Sequence, residues 1–112
     1  MKIAYIVQLP SPIQLPESAK LHIEIRDTSL ADARALTIAS KELDASSVSG
    51  RTAVEGEIET AGEMADGSQM TLWAHLSMTG ERKIEKDDYI VTQAYPVSKG
   101  VKIIARLNRV TP

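Results

Sequence analysis

Cysteine is absent from this 112-residue chain. That excludes disulfides, thiolate metal sites, cysteine nucleophiles and a lipid-attachment cysteine within the sequence as it stands. Phenylalanine is absent as well, and Trp73, Tyr5, Tyr89 and Tyr95 are the only aromatics. Aliphatic side chains, with Met64, Met70 and Met78, are therefore expected to fill most of the core, assisted by the tyrosine rings. No apolar run approaches the roughly 20 residues that cross a bilayer as a helix. The short run at residues 3–7 stops at Gln8 and Pro10, without the long apolar region or small-residue cleavage site of a secretory signal. Charge of one sign is also lacking, since 13 Lys and Arg face 15 Asp and Glu for a formal net charge of -2. With the signs interspersed there is no broad positive field for phosphate backbones, and nucleic acid is not an expected partner.

What is present is an ordinary globular balance, 43% hydrophobic and 25% charged, enough to bury a core in one domain spanning residues 1–112. The dominant pattern is period-two alternation. Leu21, Ile23 and Ile25 point one way while Lys20, His22, Glu24 and Arg26 point the other, as in a strand with one buried and one wet face. Strands are expected at residues 2–8, 19–26, 37–43 and 52–59, although the Ala-rich composition of 37–43 also admits a helix. Three more follow, one over 70–79, where Met70, Leu72, Ala74, Leu76 and Met78 alternate with Thr71, Trp73, His75, Ser77 and Thr79, and then 89–94 and 101–110.

Between them, Pro10, Pro12 and Pro16 make 9–16 an extended crossover, 29–35 has room for one helical turn, 45–50 reads as a Ser-rich loop, and Asp66-Gly67 marks a turn. Seven strands with frequent turns and no long helix predict an all-β fold, an antiparallel β-sandwich or, alternatively, a partly open β-barrel. The expected core includes Leu21, Ile23, Ile25, Leu72, Leu76 and Ile103.

Two stretches carry a family resemblance. LPESAKLHIEIRDTSLADA, from Leu15 to Ala33, and QAYPVSKG followed by VKIIARLNRV, from Gln93 to Val110, resemble the family that contains YbaY-type lipoproteins and the YscW-type pilotins of type III secretion systems. The resemblance covers about half the chain, in order. It implies a small β-sandwich and, for the secretion members, a lipid-anchored chaperone that helps an outer-membrane secretin reach its site. The chain departs from the lipoprotein pattern in having neither leader nor cysteine, so the sequence itself does not support a lipid anchor. As printed it reads as cytoplasmic, whereas the resemblance implies the envelope or periplasm for a chain whose leader has been removed.

Chemistry-bearing residues are sparse. His22 and His75 are the only imidazoles, both in the polar phase of their strands, and they read as surface histidines because no ligand pair has metal-site spacing. Asp27 and Asp32 read as turn-stabilising carboxylates rather than calcium ligands. Ser29, His22 and Asp27 lack the arrangement of a triad. No catalytic residue, metal or cofactor is expected. Trp73 stands out as a large aromatic in the polar phase of a regular strand, beside Thr71 and His75. These three form the candidate partner-binding group if the face is exposed; a covering loop would instead bury the indole within the monomer. The sequence thus favours a non-enzymatic accessory domain that binds a protein or peptide through a sheet face or edge, the alternative being a structural subunit that self-associates.

Overall fold

A computed structural model of the protein describes residues 1–28, 36–60 and 69–111. Eight strands and one helical turn follow one another as β1 (Lys2–Gln8), β2 (Lys20–Asp27), β3 (Leu36–Asp44), α1 (Ala45–Val48), β4 (Ala53–Glu59), β5 (Met70–Ser77), β6 (Tyr89–Val91), β7 (Tyr95–Pro96) and β8 (Ile103–Arg109). They form one sheet in the order β3-β2-β5-β6-β8-β1-β4, with β7 beside β5. β8 joins its halves, pairing with β1 over Tyr5↔Ile103 to Gln8↔Arg106 and with β6 over Val91↔Leu107 to Tyr89↔Arg109.

The all-β expectation holds, and the partly open barrel describes the architecture well. The end strands β3 and β4 do not pair, but Lys41 Nζ donates to the Glu57 carbonyl across the seam at 3.1 Å. One departure from a purely antiparallel sheet is the β1–β8 ladder, which is parallel. These strands are nearly a hundred residues apart in sequence, so no hairpin turn constrains their direction.

Alternation explains most elements. In β1, Ile3, Tyr5 and Val7 are buried, and in β8, Ile103, Ala105 and Leu107. The six expected core residues are all buried, Leu21, Ile23 and Ile25 completely. Tyr5 reaches across the sheet because its neighbour in register is Gly56. A Cβ there would lie 2.7 Å from Tyr5 Oη, so a side chain at that position would displace the ring.

Residues 37–43 do form a strand, the outer one that pairs with β2. The Ser-rich loop is corrected in part, since Ala45–Val48 makes a helical turn whose Ala45 and Val48 are buried. The segment expected to run as an extended crossover ties to this turn, Leu9 N–H donating to Thr52 O, Gly50 N–H to Ile13 O and Leu15 N–H to Ser49 Oγ. Tyr95–Pro96 adds a short strand, β7, between the last two expected strands. The expected helical turn at 29–35, the Asp66-Gly67 turn, and Ser29, Asp32 and Met64 lie outside the described residues.

β2 and β5 break the one-sided pattern. Residues 21–25 and 74–77 are buried in unbroken runs, so both faces of these paired strands are covered. Inside lies the core. Outside lie the polar-phase side chains, and over them folds the connection at residues 78–88.

Candidate functional site

The antiparallel register of β2 and β5 sets Arg26 opposite Thr71, Glu24 opposite Trp73 and His22 opposite His75. Because Leu21, Ile23 and Ile25 and their partners Leu72, Ala74 and Leu76 occupy the inner phase, these six polar-phase residues share the outer face. Directly opposed side chains on one face are in contact range.

Trp73 sits at its centre, partly buried and packed on the core cluster. The Arg26 guanidinium carbon lies 4.1 Å from the indole centroid, within the range of a cation–π contact. Arg26 Nη2 also donates to Glu24 Oε2 at 3.2 Å, and Glu24 Oε1 accepts from Thr37 Oγ1 at 2.7 Å. The buried Glu24 carboxylate is thus neutralised and hydrogen-bonded, and it holds the guanidinium in place over the ring.

On the other side of Trp73 the His75 ring stands 5.6 Å away, and the His22 ring 5.8 Å beyond that. Asp88 fixes this end. One of its oxygens accepts from Met78 N–H at 2.9 Å, and the other from Glu85 N–H at 3.0 Å and from His75 Nε2 at 2.8 Å. Burial pushes the Asp88 carboxyl up, but the Met78 N–H, the His75 ring and the Glu85 N–H together hold it below the ordinary aspartate range.

The expectation of two surface histidines is therefore corrected: His22 is 5% exposed and His75 0%. The physical reason is the 78–88 connection, clamped down by Asp88. Of the expected partner-binding group, Thr71 and Trp73 are half-buried and reach the surface, whereas His75 is enclosed and supports them from behind. Arg26, Glu24, Arg82 and Asp88 were not singled out in the sequence, since each acquires its role through a partner on another strand or loop.

Two open hollows flank the Trp73–Arg26 stack. One, of about 300 Å³, is lined by Thr28, Thr71, Val91 and Gln93 together with the stack itself. The other, of about 290 Å³, is lined by His22, Glu24, Arg82 and Ile84 with the same two residues. Each has room for a side chain or two. Among the described residues no group of three His, Asp or Glu is placed to hold a metal ion.

Burial lowers the His22 pKa below its ordinary 6.5, with the nearby His75 and Arg82 adding to this, while Glu42 and the Gly80 carbonyl act against it. Unfolding releases His22 to its ordinary value, so the unfolded chain takes up the proton first as pH falls. This group costs no stability above about pH 6.5 and progressively destabilises the fold below it, down through its own lower folded value. Asp88 acts only further down, because a depressed carboxyl stabilises above about pH 3.9 and loses its contribution below. The urea midpoint is expected to drop between about pH 7.5 and about pH 5.5, and His22→Gln to flatten that drop. A wild-type midpoint constant over this interval would contradict the assignment.

Comparison with known proteins gives two matches. The profile of the family described as type III secretion system lipoprotein chaperone, YscW, matches residues 2–103. Among solved structures, an alternative pilotin from the type II secretion system of Vibrio cholerae is similar over 98% of both chains, with a TM-score of 0.72 and 19% identity. At that identity the likeness is one of fold. No curated protein matches.

Proposed function

The chain belongs to the YscW family of type III secretion system lipoprotein chaperones, and from that premise we propose that it is a non-enzymatic chaperone that binds a secretin subunit in the cell envelope. Its binding surface in this reading is the outer face of β5, with Trp73 as the anchor, Thr71 beside it and His75 as buried support. The observation that carries the reading is the Trp73–Arg26 stack standing between two hollows on the paired strands β2 and β5. Tryptophan and arginine in partly desolvated settings supply a disproportionate share of binding energy at protein interfaces. A stack already assembled in the free protein loses little side-chain freedom on binding.

Titration calorimetry with the secretin subunit of the same organism tests this. Trp73→Ala is expected to weaken binding by about tenfold or more, with a smaller loss for Thr71→Ala. A full-strength complex with Trp73→Ala, in a variant that remains folded by circular dichroism, would remove this face as the binding site. Self-association is a second reading, supported by the outer strand β3 with Leu36 63% and Ile38 41% exposed. A mass that rises with concentration in light scattering, and stops rising in Ile38→Lys, would favour it.

A further inference from the structure

The hollow between Trp73 and the 78–88 connection is chemically asymmetric. Its lining includes two guanidinium groups, of Arg26 and Arg82, and one carboxylate, of Glu24. Glu24 is already occupied on both oxygens, by Arg26 and by Thr37. Arg82 is exposed and has no carboxylate partner among the described residues. Of the acids nearby, Glu42 pairs with Lys20 at 2.7 Å while also feeling the Arg82 charge, and Asp88 lies buried under His75 with three donors. The Arg82 guanidinium at the mouth is thus left without a close ion pair among the described residues. The apolar part of the lining is the Trp73 indole and Ile84, which is 45% exposed.

A second observation bears on the same hollow. His22 and His75 both line it, and each has a buried ring nitrogen without a hydrogen-bond partner, Nε2 in His22 and Nδ1 in His75. Buried polar atoms are nearly always satisfied, so two unpartnered nitrogens on one hollow point to a polar ligand atom there. His75 Nε2 meets the Asp88 carboxylate, which accepts only, so that nitrogen carries a proton. His22 Nδ1 faces Glu42 Oε2 at 3.6 Å, and the Gly80 carbonyl also lies against its ring.

We infer that this hollow takes an acidic side chain of the protein partner, its carboxylate paired with Arg82 and hydrogen-bonded by His22, and its aliphatic stem laid against Trp73 and Ile84. The inference rests on the proposed binding face and adds the chemistry of what docks there. It also predicts a coupling. Without a partner, His22 is faced by Glu42 from β3, His75 from β5, Arg82 and the Gly80 carbonyl from the connection, and on its own strand by Lys20 and Glu24. A neutral imidazole donates one hydrogen bond. With Glu42 on one nitrogen and an incoming carboxylate on the other, both nitrogens face acceptors and the doubly protonated ring satisfies both. Binding therefore takes up a proton near neutral pH, and affinity for the acidic segment rises as pH falls.

Trp73 is the only tryptophan in the chain, so its emission reports on the hollow directly. The probe is N-acetyl-Leu-Glu-Leu-amide, with the Gln tripeptide and inorganic phosphate as comparators, titrated into the whole protein to about 10 mM, a range that captures even millimolar affinity. A saturable change is expected with the Glu peptide, about fivefold or more weaker with the Gln peptide and with Arg82→Gln protein. Affinity for the Glu peptide is expected to rise about threefold or more from about pH 7.5 to about pH 6, and this rise to vanish in His22→Gln.

No saturable change to that concentration, equal affinity for Glu and Gln peptides, or an equal response to phosphate would each overturn the inference. The two readings fail separately. If Trp73→Ala abolishes secretin binding while Glu and Gln peptides bind alike, the face stands and the acidic side chain falls. If Trp73→Ala leaves secretin binding intact, the face itself falls.

Discussion

Ile23→Ala is expected to destabilise the protein by about 2 to 5 kcal/mol, the usual range when a buried isoleucine is cut back to its Cβ. Ile23 is completely buried in the middle of β2, opposite Ala74 of β5 on one side and Lys41 of β3 on the other. Its small neighbour Ala74 cannot swing in to fill the space, and the strand is held on both edges by ladders. Relaxation is restricted, which places the cost toward the upper part of the range. At urea slopes of about 1 to 3 kcal/mol/M, the midpoint should fall by about 1 M or more. Ile104→Ala is the matched control, since Ile104 is 55% exposed on β8 and a surface truncation of this kind should stay within about 0.5 kcal/mol. Equal midpoints for the two variants would show that the inner phase of β2 has been assigned to the wrong face.

That inner phase was plain in the sequence because strand alternation is a local signal. Residues 2–8 are β1 to the residue, and the apolar phases of β2, β5 and β8 are the buried ones, since each side chain's direction follows from its position along the strand alone. Trp73 was legible for the same reason, as an aromatic in the polar phase. The meaning of the polar phase was not. His22 and Glu24 alternate with Leu21, Ile23 and Ile25 as solvated residues would, yet both are buried. Whether a second face is wet depends on what crosses it, and here the cover is an irregular, highly charged connection with no periodicity to announce it.

Arg26 was legible as a strand residue but not as the cap on Trp73, because the β2–β5 register that brings them together is set across some forty residues of chain. The parallel β1–β8 ladder is hidden in the same way. α1 escaped notice because a four-residue turn is fixed by the burial of Ala45 and Val48 against the strands, and propensity over so short a span is weak.

Asp88→Ala is expected to cost about 3 to 5 kcal/mol and to open the outer face. The side chain is 1% exposed and accepts from three donors, the Met78 and Glu85 amides and the His75 ring. Replacing it leaves those donors without their acceptor in or near the interior. Each unsatisfied buried donor costs about 1 to 3 kcal/mol, and water entering beneath the loosened connection recovers part of the loss. The same substitution removes a carboxyl whose folded pKa lies below its ordinary value. The stability that Asp88 supplies is complete above about pH 3.9 and fades as pH falls below it, so the deficit of Asp88→Ala relative to wild type should be constant near neutrality and shrink in acid. Hydrogen exchange locates the effect. The amides of Met78 and Glu85 should lose protection by far more than those of β1 or β8, since the connection can lift while the core ladders stay closed. Trp73 emission should shift to longer wavelength as its cover on the His75 side is lost. A variant with wild-type stability and an unchanged Trp73 spectrum would mean that Asp88 does not clamp the connection, and that His22 and His75 are enclosed by some other contact.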